Sequence, residues 1–81
     1  MSRPARRGSG KSHWTPDEID QLERAIIEGS RVQLSRRGTE YMIVPRALRS
    51  RGPTEILIGT TNAGDELGFV LDEIERFDVI W

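Results

Sequence analysis

The sequence predicts a mainly β fold with one N-terminal helix, built as a small, strongly bent five-stranded barrel behind a disordered basic arm. Three observations carry this prediction. A capped amphipathic segment closes at Gly29; residues 31–46 alternate apolar and polar side chains around a turn; and three further apolar runs between residues 54 and 80 are separated by turn residues. Five short strands and one helix bury little as a flat sheet, whereas curling removes most of the exposed edges.

Residues 1–13 hold Arg, Gly, Ser and Pro without an apolar anchor, so nothing there repays the entropy of ordering and a flexible basic arm is expected. Gly8-Ser-Gly-Lys-Ser12 imitates the end of a phosphate-binding loop, but Ala5 stands where that pattern needs its first glycine, and no strand precedes it. The domain proper is expected over residues 14–81. Thr15-Pro-Asp-Glu18 is a helix start: Thr15 as N-cap, Pro16 at the first helical position, acids facing the dipole, and Glu18 placed to close a capping box. Ile19, Leu22 and Ile26, widened by Ala25 and Ile27, form the apolar stripe of a helix running from Pro16 to about Glu28, with Gly29 as its left-handed terminus. Trp14 is expected to staple the helix start near Ile19.

Val32 and Leu34 then alternate with polar residues, Arg37-Gly38 makes a turn, and Tyr41, Ile43 and Pro45 alternate with Met42 and Val44, which is the pattern of a β-hairpin. Which of Ile43 and Val44 faces inward is left open by this pattern. Residues 47–53 read as a loop, 54–60 as a buried strand, 62–65 as a turn and 66–71 as a strand. Asp72–Ile74 reads as a helical turn, and residues 76–80 as the closing strand.

Composition excludes several function classes. A chain of 81 residues has room for one thin core and no large catalytic cleft. Without cysteine and with His13 as the lone histidine, thiolate chemistry is excluded and a zinc site lacks its ligands, so neither metal nor cofactor is expected. No apolar run approaches the ~20 residues of a membrane span, and a cytoplasmic location with no membrane partner is expected. The net charge of −1 conceals alternating blocks: +4 over residues 1–13, −4 over 14–23, +5 over 24–51 and −6 over 52–81. Such segregation suits a polyanion or a second copy of the chain as partner.

Trp14-Thr-Pro-Asp-Glu-Ile-Asp-Gln-Leu22 resembles the opening of a Myb/SANT repeat for nine residues, but strand-like sequence follows Gly29 where that repeat needs two more helices. A longer resemblance runs over residues 19–80. Ala25-Ile26, Val32, Val44-Pro45, Leu48, Leu57 and Phe69-Val-Leu-Asp-Glu-Ile74 resemble the WYL domain, an Sm-like/SH3-like small barrel found in bacterial transcription regulators. The resemblance implies that fold and a regulatory module sensing nucleotide or nucleic-acid ligands. Two departures fall on the family's ligand positions. Glu55-Ile56-Leu57 stands in place of the name-giving Trp-Tyr-Leu, and Val70 and Glu73 replace its two ligand-type arginines, where neither neutralises phosphate.

The residues expected to carry function are therefore others. Arg36 and Arg37 of the hairpin turn, Arg46, Arg49 and Arg51 after it, Tyr41 for stacking, and Arg3, Arg6 and Arg7 of the arm form the candidate surface for nucleic acid or another anionic ligand, provided that turn and loop share one rim. The acids Asp72, Glu73, Glu75 and Asp78 cluster in sequence, but no nucleophile and base converge on them, and no enzyme is expected. The alternative function is a protein-interaction or self-assembly module of the same fold, with the arginines paired to the acids of residues 66–78.

Overall fold

The local signals at the helix start and end are realised atom by atom. The computed structural model describes residues 14–81, so the expectations for residues 1–13, including Arg3, Arg6 and Arg7, lie outside the described residues. Helix α1 spans Pro16–Glu28; the Glu18 amide donates to Thr15 Oγ1 and the Thr15 amide to Glu18 Oε1, closing the capping box. Gly29 ends the helix in the left-handed region at φ 71°, a backbone conformation open to glycine without a Cβ penalty. Leu22 and Ala25 are the buried face of the helix, with Ile19 and Ile26 packed beside them.

Five antiparallel strands follow: β1 (Arg31–Arg36), β2 (Thr39–Arg51), β3 (Thr54–Thr61), β4 (Glu66–Val70) and β5 (Ile74–Ile80), with a single 3₁₀ turn over Leu71–Glu73 before β5. Their order in the sheet is β4-β3-β2-β1-β5. Laid flat, five strands would hold β4 and β5 about 19 Å apart, at roughly 4.8 Å per step. The 3₁₀ turn between those two strands reaches only ~14 Å at full stretch, so the sheet must curl. The fold is therefore mainly β with one N-terminal helix, its five strands bent into a small barrel-like globule.

The two-residue turn Arg37-Gly38 has φ 53° and 78°, the pair of left-handed residues that a type I′ hairpin requires. It sets the β1–β2 register with Leu34 opposite Tyr41 and Val32 opposite Ile43. Ile43 is the inward residue, 1 % exposed, and Val44 is half-buried on the outside. Val32, Leu34, Ile43, Leu57, Phe69, Leu71 and Ile74 meet Leu22 and Ala25 in one core.

One expectation is overturned: residues 47–51 are not a loop. After a register shift between Pro45 and Ala47, strand β2 continues to Arg51, with Leu48 opposite Leu57 and Arg49 opposite Ile56. Arg46 is the extra residue of a β-bulge, and Pro45, which has no amide hydrogen to donate, stands beside it. The true reversal is the two-residue turn Gly52-Pro53, with Gly52 at φ 61°. Strand β3 is also less buried than its sequence suggests. Leu57 and Gly59 are buried, while Ile56 and Ile58 lie half-exposed on the outer face.

Trp14 does more than cover the helix start. Its Nε1 donates to the Leu71 carbonyl at 3.1 Å, and its ring stacks on Phe77 with centroids 5.0 Å apart. It thus joins the front of α1 to the 3₁₀ turn and β5. Among the described residues no helix is long and apolar enough to cross a membrane.

Candidate functional site

The arginines singled out in the sequence divide into two groups at opposite ends of β2. Arg36 belongs to the first. Alternation along β1 points Val32, Leu34 and Arg36 to the same side, and the register shift after Ser35 sets Arg36 opposite the buried Ile74. Its guanidinium lies 4.7 Å from the Phe69 ring centre and 5.3 Å from that of Tyr41. Nη1 donates to the Gly68 carbonyl and Nη2 to the Tyr41 hydroxyl, both at 3.3 Å. Arg36 caps the end of the core, and its charge is taken up by ring faces and by a carbonyl of β4.

Arg37 pairs with Glu73 at 3.2 Å, and the Gly38 amide approaches Glu75 Oε1 at 3.5 Å, so the hairpin tip is tied to the acids around the start of β5. Tyr41 faces inward, edge-on to Phe69 at 5.0 Å between ring centres, and is half-buried. It is held by the fold rather than presented for stacking. The first group thus consists of three residues engaged within the molecule.

The second group is placed differently. From Ala47 onward the outward positions of β2 are Ala47, Arg49 and Arg51, opposite Ile58, Ile56 and Thr54 of β3, and Ile58 and Ile56 in turn face Gly68 and Val70 of β4. Arg49, Ser50, Arg51, Ile56 and Ile58 line a shallow depression of ≈ 400 Å³ on this face. Gly68 keeps its floor low: a Cβ at that position would stand 3.3 Å from Ile56 Cγ2 and 3.5 Å from Ile58 Cδ1. Arg46, on the bulge, donates from Nε to Thr60 Oγ1 at 3.2 Å. Arg46, Arg49 and Arg51 are exposed, and no carboxylate lies within ion-pair distance of any of them among the described residues.

Elsewhere two further arginines have carboxylate partners, while Arg31 is exposed with none within ion-pair distance among the described residues. Arg24 pairs with Glu28 one helical turn on and also lies 4.7 Å from the centre of the Trp81 ring, and Arg76 pairs with Glu40 at 3.2 Å. Of the acids that cluster in the sequence, two meet at the hairpin tip and two lie elsewhere. Glu73 meets Arg37, Glu75 faces the hairpin tip, Asp78 lies beside Arg76 and Gln33, and Asp72 borders a cleft beneath Trp14. Among the described residues no group of His, Cys, Asp and Glu is placed to hold a metal ion.

Sequence reading missed the separation of these two groups and the aliphatic floor between Arg49 and Arg51. The alternation Ala47-Leu48-Arg49-Ser50-Arg51 was the available signal. No protein-family model matches this chain, and no curated protein matches it.

Proposed function

We propose that the chain is a non-enzymatic binding module, of the regulatory kind that the WYL resemblance implies, and that Arg46, Arg49 and Arg51 on the outer face of β2 contact the phosphate backbone of a nucleic acid. One observation carries the reading. Among the described residues these three arginines stand exposed on one stretch of strand with no carboxylate within ion-pair distance; Arg31 shares that state at the start of β1, whereas Arg24, Arg37 and Arg76 each have a carboxylate partner.

The chemistry follows from the side chains. Arg49 and Arg51 are two residues apart on one strand face, ~6.7 Å along it, and a guanidinium fork matches phosphate oxygens bidentately. The facing residues of β3 and β4 are Ile56, Ile58, Gly68 and Val70, so this face has no aromatic platform for bases. Contacts to the backbone alone make binding sequence-tolerant and strongly salt-dependent.

The test is a salt titration of binding to a labelled mixed-sequence oligonucleotide, single-stranded and duplex, using the whole chain. Arg49→Ala/Arg51→Ala is expected to weaken binding and to flatten the log–log salt slope by roughly 0.7 per lost contact on a single strand and about 0.9 on a duplex. Arg24→Ala, on the helix, is expected to leave the slope unchanged. Absence of binding at low salt, or a double variant with the slope of the parent chain, would overturn the reading.

A further inference from the structure

The cleft on the opposite side of the β2–β3 turn has the reverse chemistry. Trp14, Ile19, Pro53, Glu55, Leu71 and Asp72 line a space of ≈ 250 Å³ between the start of α1, that turn and the 3₁₀ turn. Its walls are an indole, two aliphatic side chains and a proline ring; its charges are two exposed carboxylates, and no basic side chain lines it among the described residues. Trp14 is fixed in place, because its N–H is bonded to the Leu71 carbonyl and its ring is stacked on Phe77.

We propose that this cleft binds the cationic side chain of a basic peptide segment on a partner protein, an arginine or lysine whose aliphatic stem lies along Ile19, Pro53 and the Trp14 ring while its charged head meets Glu55 and Asp72. Arginine and lysine are the two side chains that combine such a stem with a positive head. An indole wall adds cation–π attraction to the two ion pairs. A neutral or acidic segment would leave both carboxylates without a cationic partner beside an apolar wall, Glu55 keeping only its 3.4 Å hydrogen bond from Ser50 Oγ, so charge complementarity selects the basic partner. The cleft is independent of the arginine face on β2 and stands whether or not nucleic acid binds there.

Emission from Trp14 reads the cleft directly once Trp81→Phe leaves it as the single indole of the whole chain. The probe is an acetylated peptide of alternating arginine and alanine, with an aspartate–alanine peptide as control. A saturable change with the basic peptide alone is expected, weakened roughly tenfold in Glu55→Gln/Asp72→Asn, the size of one charge-assisted contact. Both substituted residues are exposed, and equal thermal midpoints with and without the pair of substitutions show that the fold is intact. Emission that ignores the basic peptide in both chains, or equal affinity in both, overturns the proposal.

Discussion

Arg36 stands one inward step beyond Leu34, and its charge is held against two ring faces, a hydroxyl and a carbonyl rather than in open water. Removing it strips a cation–π contact and two hydrogen bonds from the end of the core. Arg36→Ala is therefore expected to destabilise the fold by about 1–2 kcal/mol. Arg36→Lys should recover part of that, since an ammonium lacks the planar fork that reaches Gly68 and Tyr41 together. Arg49→Ala, at an exposed position without an ion partner, should stay within ~0.5 kcal/mol of the parent. Urea unfolding of the three variants checks this ordering, and equal losses at Arg36 and Arg49 would contradict it. The inward parity of Arg36 was legible in Val32-Gln-Leu-Ser-Arg36. Its partners were not, because Phe69 and Gly68 reach it only when β4 curls back toward β1, a contact across 32 residues of chain in the case of Gly68.

Strand β2 shows why a period can hide a strand. Tyr41, Ile43 and Pro45 face inward at odd positions, and the bulge at Arg46 then moves the inward set to Leu48. A one-residue insertion reverses the parity of everything after it. Read with a single period of two, residues 47–51 lose their pattern and pass for a loop; read with the shift, Leu48 belongs to the core side and Arg49 and Arg51 to the surface. The helix is different, since its signals are local: Thr15, Pro16, Glu18 and Gly29 act within a turn of the chain, and their roles were legible residue by residue. The other hidden feature of this element is the packing of β3 against it. Gly59 lies opposite Pro45, and a Cβ there would collide with Ile43 Cδ1 and stand 3.1 Å from Ile43 Cβ and Cγ1. Gly59→Ala should cost about 1–3 kcal/mol from overpacking. Ile43→Val removes the Cδ1 atom, so the combined variant should be more stable than the sum of the two single losses. A double-mutant cycle with no coupling would show that the collision is relieved some other way.

For the molecule as a whole, the open question is what its two edge strands do. Among the described residues β4 has only β3 as strand neighbour and β5 only β1, so each leaves a row of backbone groups without a strand partner there, and self-assembly by strand addition has a template. Both edges carry features that discourage it. β4 is five residues long, begins at Glu66, and has its Gly68 carbonyl engaged by Arg36. β5 carries Glu75, Arg76 and Asp78 along its length. Short, charged edges are the usual means by which sheets avoid pairing with copies of themselves. A second route to assembly is charge: Arg46, Arg49 and Arg51 lie on one face, and Glu55 and Asp72 border the cleft on the other side of the β2–β3 turn. Such head-to-tail contact between exposed charges is screened within about 10 Å at 0.1 M salt and contributes little per pair. The chain is accordingly expected to sediment as a monomer at moderate salt, with any association at low salt lost as salt is raised. An oligomer that persists at high salt would mean that the edges pair despite their charges, and would favour the self-assembly function over nucleic-acid binding. In that case Arg36→Ala, by freeing the Gly68 carbonyl, should strengthen the oligomer, whereas Arg49→Ala/Arg51→Ala should leave it intact.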